Sequence, residues 1–182
     1  MTQTTKKTRK MVLTGMFTAV LAVLAQITIP MPSGVPVTLQ TFAVALTGYV
    51  LGWKTGTAAV LVYLLIGLIG LPVFAGFRGG PGVLFDKTGG FLVGFLFMAA
   101  LCGLTSRTQK NSLEMLSSFA GLIICHFLGT LQFSMLTGMD LWGSAVLVSL
   151  PYLPKDILFM VLAYVTGKVI KKSLRGENGY LV

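Results

Sequence analysis

Apolar residues in this chain run on for whole helix lengths. The stretch Met11–Ile29 reaches the ~20 residues that cross a ~30 Å hydrocarbon layer. Five further runs follow it: Thr38–Leu51, Thr55–Gly70, Lys87–Ser106, Leu113–Thr137 and Ala145–Lys168. The second and third are short for spans, which predicts that neighbouring helices partly cover them. Together the runs predict an all-α membrane protein with six transmembrane helices in one membrane-embedded unit, residues 1–182. A basic segment, 1–10, precedes the first span and a tail, 169–182, follows the last.

Composition strengthens that reading. Only 10% of residues are charged and 54% are apolar, whereas soluble domains carry roughly 25% charge. Water is therefore not the solvent for most of this surface. A signal peptide also starts with basic residues, but no small-residue cleavage site follows here and the apolar run is longer than an h-region. The first run thus reads as a retained helix.

A net charge of +9 raises the question of nucleic acid, and the distribution of charge answers it. Lys6, Lys7, Arg9, Lys10, Lys54, Arg107, Lys110, Lys168, Lys171, Lys172 and Arg175 fall on one side if the spans alternate. Only Arg78, Lys87 and Lys155 fall on the other. This is the positive-inside pattern, which predicts an even number of spans and both termini in the cytoplasm. Anchoring to anionic lipid accounts for the same residues. No nucleic-acid partner is implied.

The outward connections are rich in proline and glycine: Pro30–Pro36 (PMPSGVP), Leu71–Asp86 (LPVFAGFRGGPGVLFD) and Gly138–Ser144 leading to Pro151–Pro154 (PYLP). Such backbone cannot continue a helix. At membrane depth it survives only when buried in protein or lining a cavity, so the candidate site belongs on the outer side.

Thr38, Gln40 and Thr41 follow the first outward loop and exchange hydrogen bonds without the desolvation cost of a charge. Helix capping explains Thr38; a cavity explains Gln40 better. Lys155 and Asp156 open the last span, as neighbours about 100° apart that do not face each other. A first-turn anion also favours the helix dipole, so Asp156 as a structural cap is the competing reading. Arg78, Asp86 and Lys87 flank the glycine-rich loop, where interfacial snorkelling is the alternative. On the first span, Gly15, Thr18, Ala19, Ala22 and Ala25 form a small-residue stripe, suited either to internal packing or to docking a separate membrane subunit. Gly52/Gly56 and Gly90/Gly94 repeat the four-residue spacing. Cys102 and Cys125 read as small apolar thiols with no metal-ligand spacing. His126, the lone imidazole, reads as a helix–helix hydrogen bonder. No GxxxxGK[ST], GxSxG, HExxH or paired-carboxylate motif occurs, so neither an enzyme nor an ATPase is predicted, and energised transport needs a partner or an ion gradient.

The blocks AVLAQITIPMPSGVPVTLQTFAVALTG (Ala19–Gly48), LPVFAGFRGGPGVLF with TGGFLVGF, and PYLPKD resemble the BioY family. Its members are the biotin-specific substrate-binding (S) components of energy-coupling-factor (ECF) transporters. The resemblance implies a six-helix bundle, structured extracellular loops roofing a biotin pocket, and no cofactor. It further implies a T-type membrane subunit met through helix one (Gly15 and Ala19 matching best) and two ATP-binding-cassette subunits.

Two departures stand out. Asp86–Lys87 replaces an expected Gly-Pro, and Phe159 takes the place of an expected lysine after Pro-Gly-Asp. Lys155 lies four residues earlier on the same helical face, where it can supply the cation that Phe159 cannot. Biotin then asks for an acceptor at its ureido N–H groups (Asp156) and polar partners at the ring edge (Thr38 or Gln40). It also needs walls (Phe74, Phe85, Tyr152) and a cation for its carboxylate (Lys155 or Arg78, then Lys87). Nanomolar binding, about −12 kcal/mol, spread over roughly 16 non-hydrogen atoms is ~0.8 kcal/mol per atom, within reach of a closed, pre-formed pocket. The proline- and glycine-rich loops would serve as lids. Other classes remain open: a stand-alone secondary transporter of a small carboxylate or vitamin, a small intramembrane enzyme, or a structural subunit without ligand.

Overall fold

The computed structural model describes residues 3–106 and 110–178. Arg107, and the last four residues of the predicted tail, lie outside the described residues. The basic segment is already helical, because α1 runs Gln3–Ala25 without a break. It ends four residues short of the predicted boundary. Thr28 and Ile29 precede Pro30, which disfavours helix before it. They form instead a short strand, β1, antiparallel to β2 (Val37–Thr38), with Thr28 opposite Thr38. The first outward loop is thus closed at its base by a two-stranded ribbon that an all-α reading does not contain.

Helix α2 spans Gln40–Leu68 but is interrupted at Gly52, whose φ of 76° and ψ of 171° lie outside the helical region. A Cβ added at Gly56 would fall 3.1 Å from Gly48 Cα. Residues eight apart in one straight helix are about 12 Å apart, so the chain reverses at Gly52. The halves 40–51 and 53–68 are two helices folded back on each other, as the sequence predicts. Only glycine takes the positive φ of such a reversal at no steric cost. The first half is about 18 Å long at 1.5 Å per residue, too short to cross alone. It is buried on nearly every side, so protein rather than lipid surrounds it.

A 3-10 turn, Pro81–Phe85, leads into α3 (Gly89–Leu104), which packs along α4 (Asn111–Thr137). A methyl group at Gly94 would lie 2.6 Å from Cys125 Cα, and one at Gly90 would collide with the Leu128 carbonyl. This pair of glycines serves internal packing, letting two backbones touch where no hydrophobic effect drives association.

The last predicted span, Ala145–Lys168, is two elements. A short helix, α5 (Leu141–Val148), is capped by Asp140, whose carboxylate accepts from Gly143 N–H. It meets α6 (Leu153–Asn178) at an angle of 57°. Pro151 ends the first and Pro154 sits in the first turn of the second, where a missing N–H costs nothing. The core gathers where α2, α3 and α4 meet, around Val44, Tyr63, Phe74, Met98 and Leu122, with Met160 contributed by α6.

Candidate functional site

At the end of the bundle where the proline- and glycine-rich loops converge lies a cavity of about 60 Å³. The first two outward loops roof it, through Val35 and Pro36 of the first and Phe74, Ala75, Arg78 and Val83 of the second. Helix α3 contributes Phe91, Leu92 and Phe95, with Thr88 just before it, α4 contributes Leu122, Cys125 and His126, and Lys155 and Asp156 come from α6. Thr38, Gln40, Thr41 and Tyr152 complete the lining. The walls are mainly aromatic and aliphatic with a few convergent polar groups, the ordinary make-up of a small-molecule site.

Seven of the predicted site residues therefore come together: Thr38, Gln40, Phe74, Arg78, Tyr152, Lys155 and Asp156. Three do not. Phe85 is 78% exposed and turned away from the cavity. The 3-10 turn points Val83 inward instead, and the residue two places on leaves in another direction. Asp86 sits behind the wall, where its Oδ2 accepts from Arg78 Nη1 at 2.7 Å and its Oδ1 from the Lys87 N–H at 2.8 Å. Lys87 is also outside the lining, with its ammonium 6.0 Å from the centre of the Phe133 ring. Burial pushes the Asp86 carboxyl up, but the Lys87 N–H and the Arg78 guanidinium outweigh it and hold the group below the usual carboxylate range.

The second loop is pinned in place. Arg78 Nη2 donates to Thr88 Oγ1 at 3.1 Å. Gln26, just past α1, donates to Val73 O and accepts from Phe77 N–H, and Gln132 of α4 donates to Leu84 O and Asp86 O. Gln40 donates to Tyr63 Oη at 2.8 Å, and Tyr63 passes the bond on to Val73 O at 3.1 Å. The first loop is held at its tip by one side chain, Tyr152, which donates to Val35 O at 2.7 Å.

Asp156 is 4% exposed and faces the cavity, so it is no solvent-facing cap. Its Oδ2 lies 3.2 Å from His126 Nε2. Its Oδ1 lies 2.6 Å from Lys155 Nζ, an ion pair between neighbours in sequence. This close pair corrects the expectation that sequence neighbours on a helix stay apart: the four-carbon lysine stem swings the ammonium round. The same ammonium lies 5.3 Å from the Phe159 ring centre, on the shared face expected from their spacing. Among the described residues no cluster of three or more His, Cys, Asp or Glu is present, and the donor set suits an organic ligand.

Sequence reasoning left His126 out of the site, along with wall residues such as Phe91 and Phe95. His126 bonds helix to helix as expected, but it also lines the cavity. The signal was available: Leu122, Cys125 and His126 share one face of α4, and Phe91, Leu92 and Phe95 one face of α3.

The small-residue stripe of α1 divides. Thr18 turns inward and donates to Ala59 O at 3.0 Å, which removes it from any docking surface. Ala22 packs partly against the core. Gly15 and Ala19 are exposed.

A model of the BioY family matches residues 1–176. The chain is 39% identical to the biotin transporter BioY of Thermotoga maritima, over 90% of this chain and 96% of that one. It is 37% identical to the biotin transporter BioY2 of Lactococcus lactis, over 89% and 90%. Its fold superposes with a TM-score of 0.85 and 29% identity on the crystal structure of the S-component for biotin from an ECF-type ABC transporter, covering 94% of this chain and 95% of that one. By sequence over nearly its whole length, and by fold, this multi-pass membrane chain belongs to the BioY family.

Proposed function

We propose that the chain is the high-affinity biotin-binding S subunit of an ECF-type uptake transporter, presenting biotin to a T subunit and two ABC-type ATPases. The observation that carries this reading is Asp156, a buried carboxylate facing the cavity, whose Oδ2 lies beside His126 and whose Oδ1 is met by the Lys155 ammonium at 2.6 Å. A hydrogen bond to a charged group contributes ~1.5–3 kcal/mol, and a ureido N–H can take the place of the ammonium on Oδ1. Phe74, Phe91 and Phe95 give apolar walls for the bicycle, and Thr38 meets the polar edge of the ring. Biotin carries its carboxylate at the far end of an alkyl chain from its ureido group. Lys155 therefore serves it by swinging off Asp156 as the ureido N–H groups take its place, and Arg78 is the second cation. The ligand is bound and released unchanged.

In this reading the basic ends lie in the cytoplasm and the cavity opens toward the outer face of the cell membrane. Gly15 and Ala19 offer the exposed small-residue surface for the T subunit. Relatives named as biotin transporters support the ligand, and the ECF-type neighbour supports the partners. Proteoliposomes test the assignment. The chain alone should bind biotin without accumulating it, and addition of T subunit, ATPases and ATP should bring uptake. Uptake by the chain alone, driven by an ion gradient, would replace this reading with a secondary transporter.

A further inference from the structure

We propose that His126 is a positioning residue that fixes the orientation in which Asp156 meets the ligand, an inference that rests on the binding role given above to Asp156. A carboxylate turns about a broad, roughly two-fold torsion, so something must hold it. Lys155 cannot be the anchor, because its stem is flexible and its ammonium is the group a ligand carboxylate claims. His126 is held on every side. Its Nδ1 lies 3.2 Å from Ser149 Oγ, and Ser149 Oγ lies 2.5 Å from Thr130 Oγ1. Phe91 meets the ring edge-on, with centroids 5.8 Å apart and planes at 89°.

The arrangement of protons that uses the shortest contacts runs one way, since the other acceptor open to Ser149, the His126 carbonyl, is 3.5 Å away. Thr130 donates to Ser149, Ser149 donates to Nδ1, and Nε2–H is left to donate to Asp156 Oδ2. Every donor then points toward the carboxylate. The partner on the second ring nitrogen decides which tautomer an imidazole adopts, so Ser149 and Thr130 settle the identity of the atom facing Asp156. With Oδ2 taken, Oδ1 is the oxygen turned to the cavity. The anchor also spans three elements: α4 carries Thr130 and His126, the turn after α5 carries Ser149, and α6 carries Asp156. That turn includes Tyr152, which holds the first outward loop.

Amide substitutions separate the two ends of the ring. A glutamine amide reaches where Nε2 stands and can still donate to Asp156. An asparagine amide reaches only the Nδ1 position and serves Ser149. Equilibrium binding of radiolabelled biotin in detergent should show His126→Leu and His126→Asn weakened about tenfold or more, and His126→Gln within about threefold of wild type. In an Asp156→Asn background, His126→Leu should add less than threefold, because its effect passes through that carboxylate. Wild-type-like binding by His126→Leu overturns the proposal, as does rescue by Asn instead of Gln, or full multiplication of the two effects in the double variant. If His126→Leu does not fold, the Gln and Asn variants alone decide. Failure of wild type to bind biotin at all would instead strike at the proposed function.

Discussion

Replacing Asp156 by asparagine changes one atom's chemistry and almost no volume. The carboxylate is 4% exposed, so water cannot make good what is lost. Asparagine retains one oxygen but presents N–H₂ either to His126 Nε2, now 3.2 Å from Oδ2, or to Lys155 Nζ, now 2.6 Å from Oδ1. Each encounter sets donor against donor. A hydrogen bond to a charged group contributes ~1.5–3 kcal/mol, and ~1.4 kcal/mol is a factor of ten. Loss of the ureido contact should therefore raise the dissociation constant for biotin roughly 10- to 150-fold. Binding of radiolabelled biotin to purified variant in detergent measures this, with thermal unfolding beside it to establish that the variant is folded. A folded Asp156→Asn protein that binds within about threefold of wild type would refute the placement of the ureido group on this side chain.

Lys155→Ala should weaken binding, and Phe159→Lys added to it should restore part of the loss, since the two positions share a face of α6; no restoration would remove Lys155 from the carboxylate. Tyr152→Phe deletes the hydroxyl that donates to Val35 O and meets Ser33 Oγ at 3.2 Å, together worth ~1–2 kcal/mol, so proteolysis of the loop Pro30–Pro36 should speed up about five- to thirtyfold while Leu71–Asp86 is unaffected; equal change at both loops would contradict the different tethering described. The Asp86 carboxyl is held below its ordinary range, so the stability it lends is present above the unfolded carboxylate value of ~3.9 and lost as pH falls through the lowered native value. Proteolysis of Leu71–Asp86 should accordingly be flat from pH 8 to about 5, and a rise within that interval would show that Asp86 does not hold the loop.

Much of this molecule is legible one residue at a time. The spans follow from apolar runs, the outer placement of the site from proline and glycine, and Asp156 from being an acid at the mouth of a greasy helix. Even the paired short spans 38–51 and 55–70 stand out, because Gly52 separates them. What escapes depends on contacts between distant segments. Thr18 belongs to a stripe of small residues, and only the approach of Ala59 turns it inward. Phe85 has the composition of a pocket wall, but the pitch of the preceding turn sends it outward. His126 is a lone histidine until α6 brings Asp156 alongside and the turn after α5 brings Ser149. That turn was itself hidden, because Ala145–Val148 and Leu153–Lys168 are both apolar and only Pro151 and Pro154 mark the bend between them.

The central claim is that the chain alone, without its transport partners, closes an outer cavity around one vitamin. Titration of the purified wild-type protein in detergent with radiolabelled biotin tests it most directly. Saturable binding near nanomolar, about −12 kcal/mol, with one biotin per chain and displacement by unlabelled biotin is the predicted result. Absence of saturable binding by a monodisperse, folded preparation would contradict it.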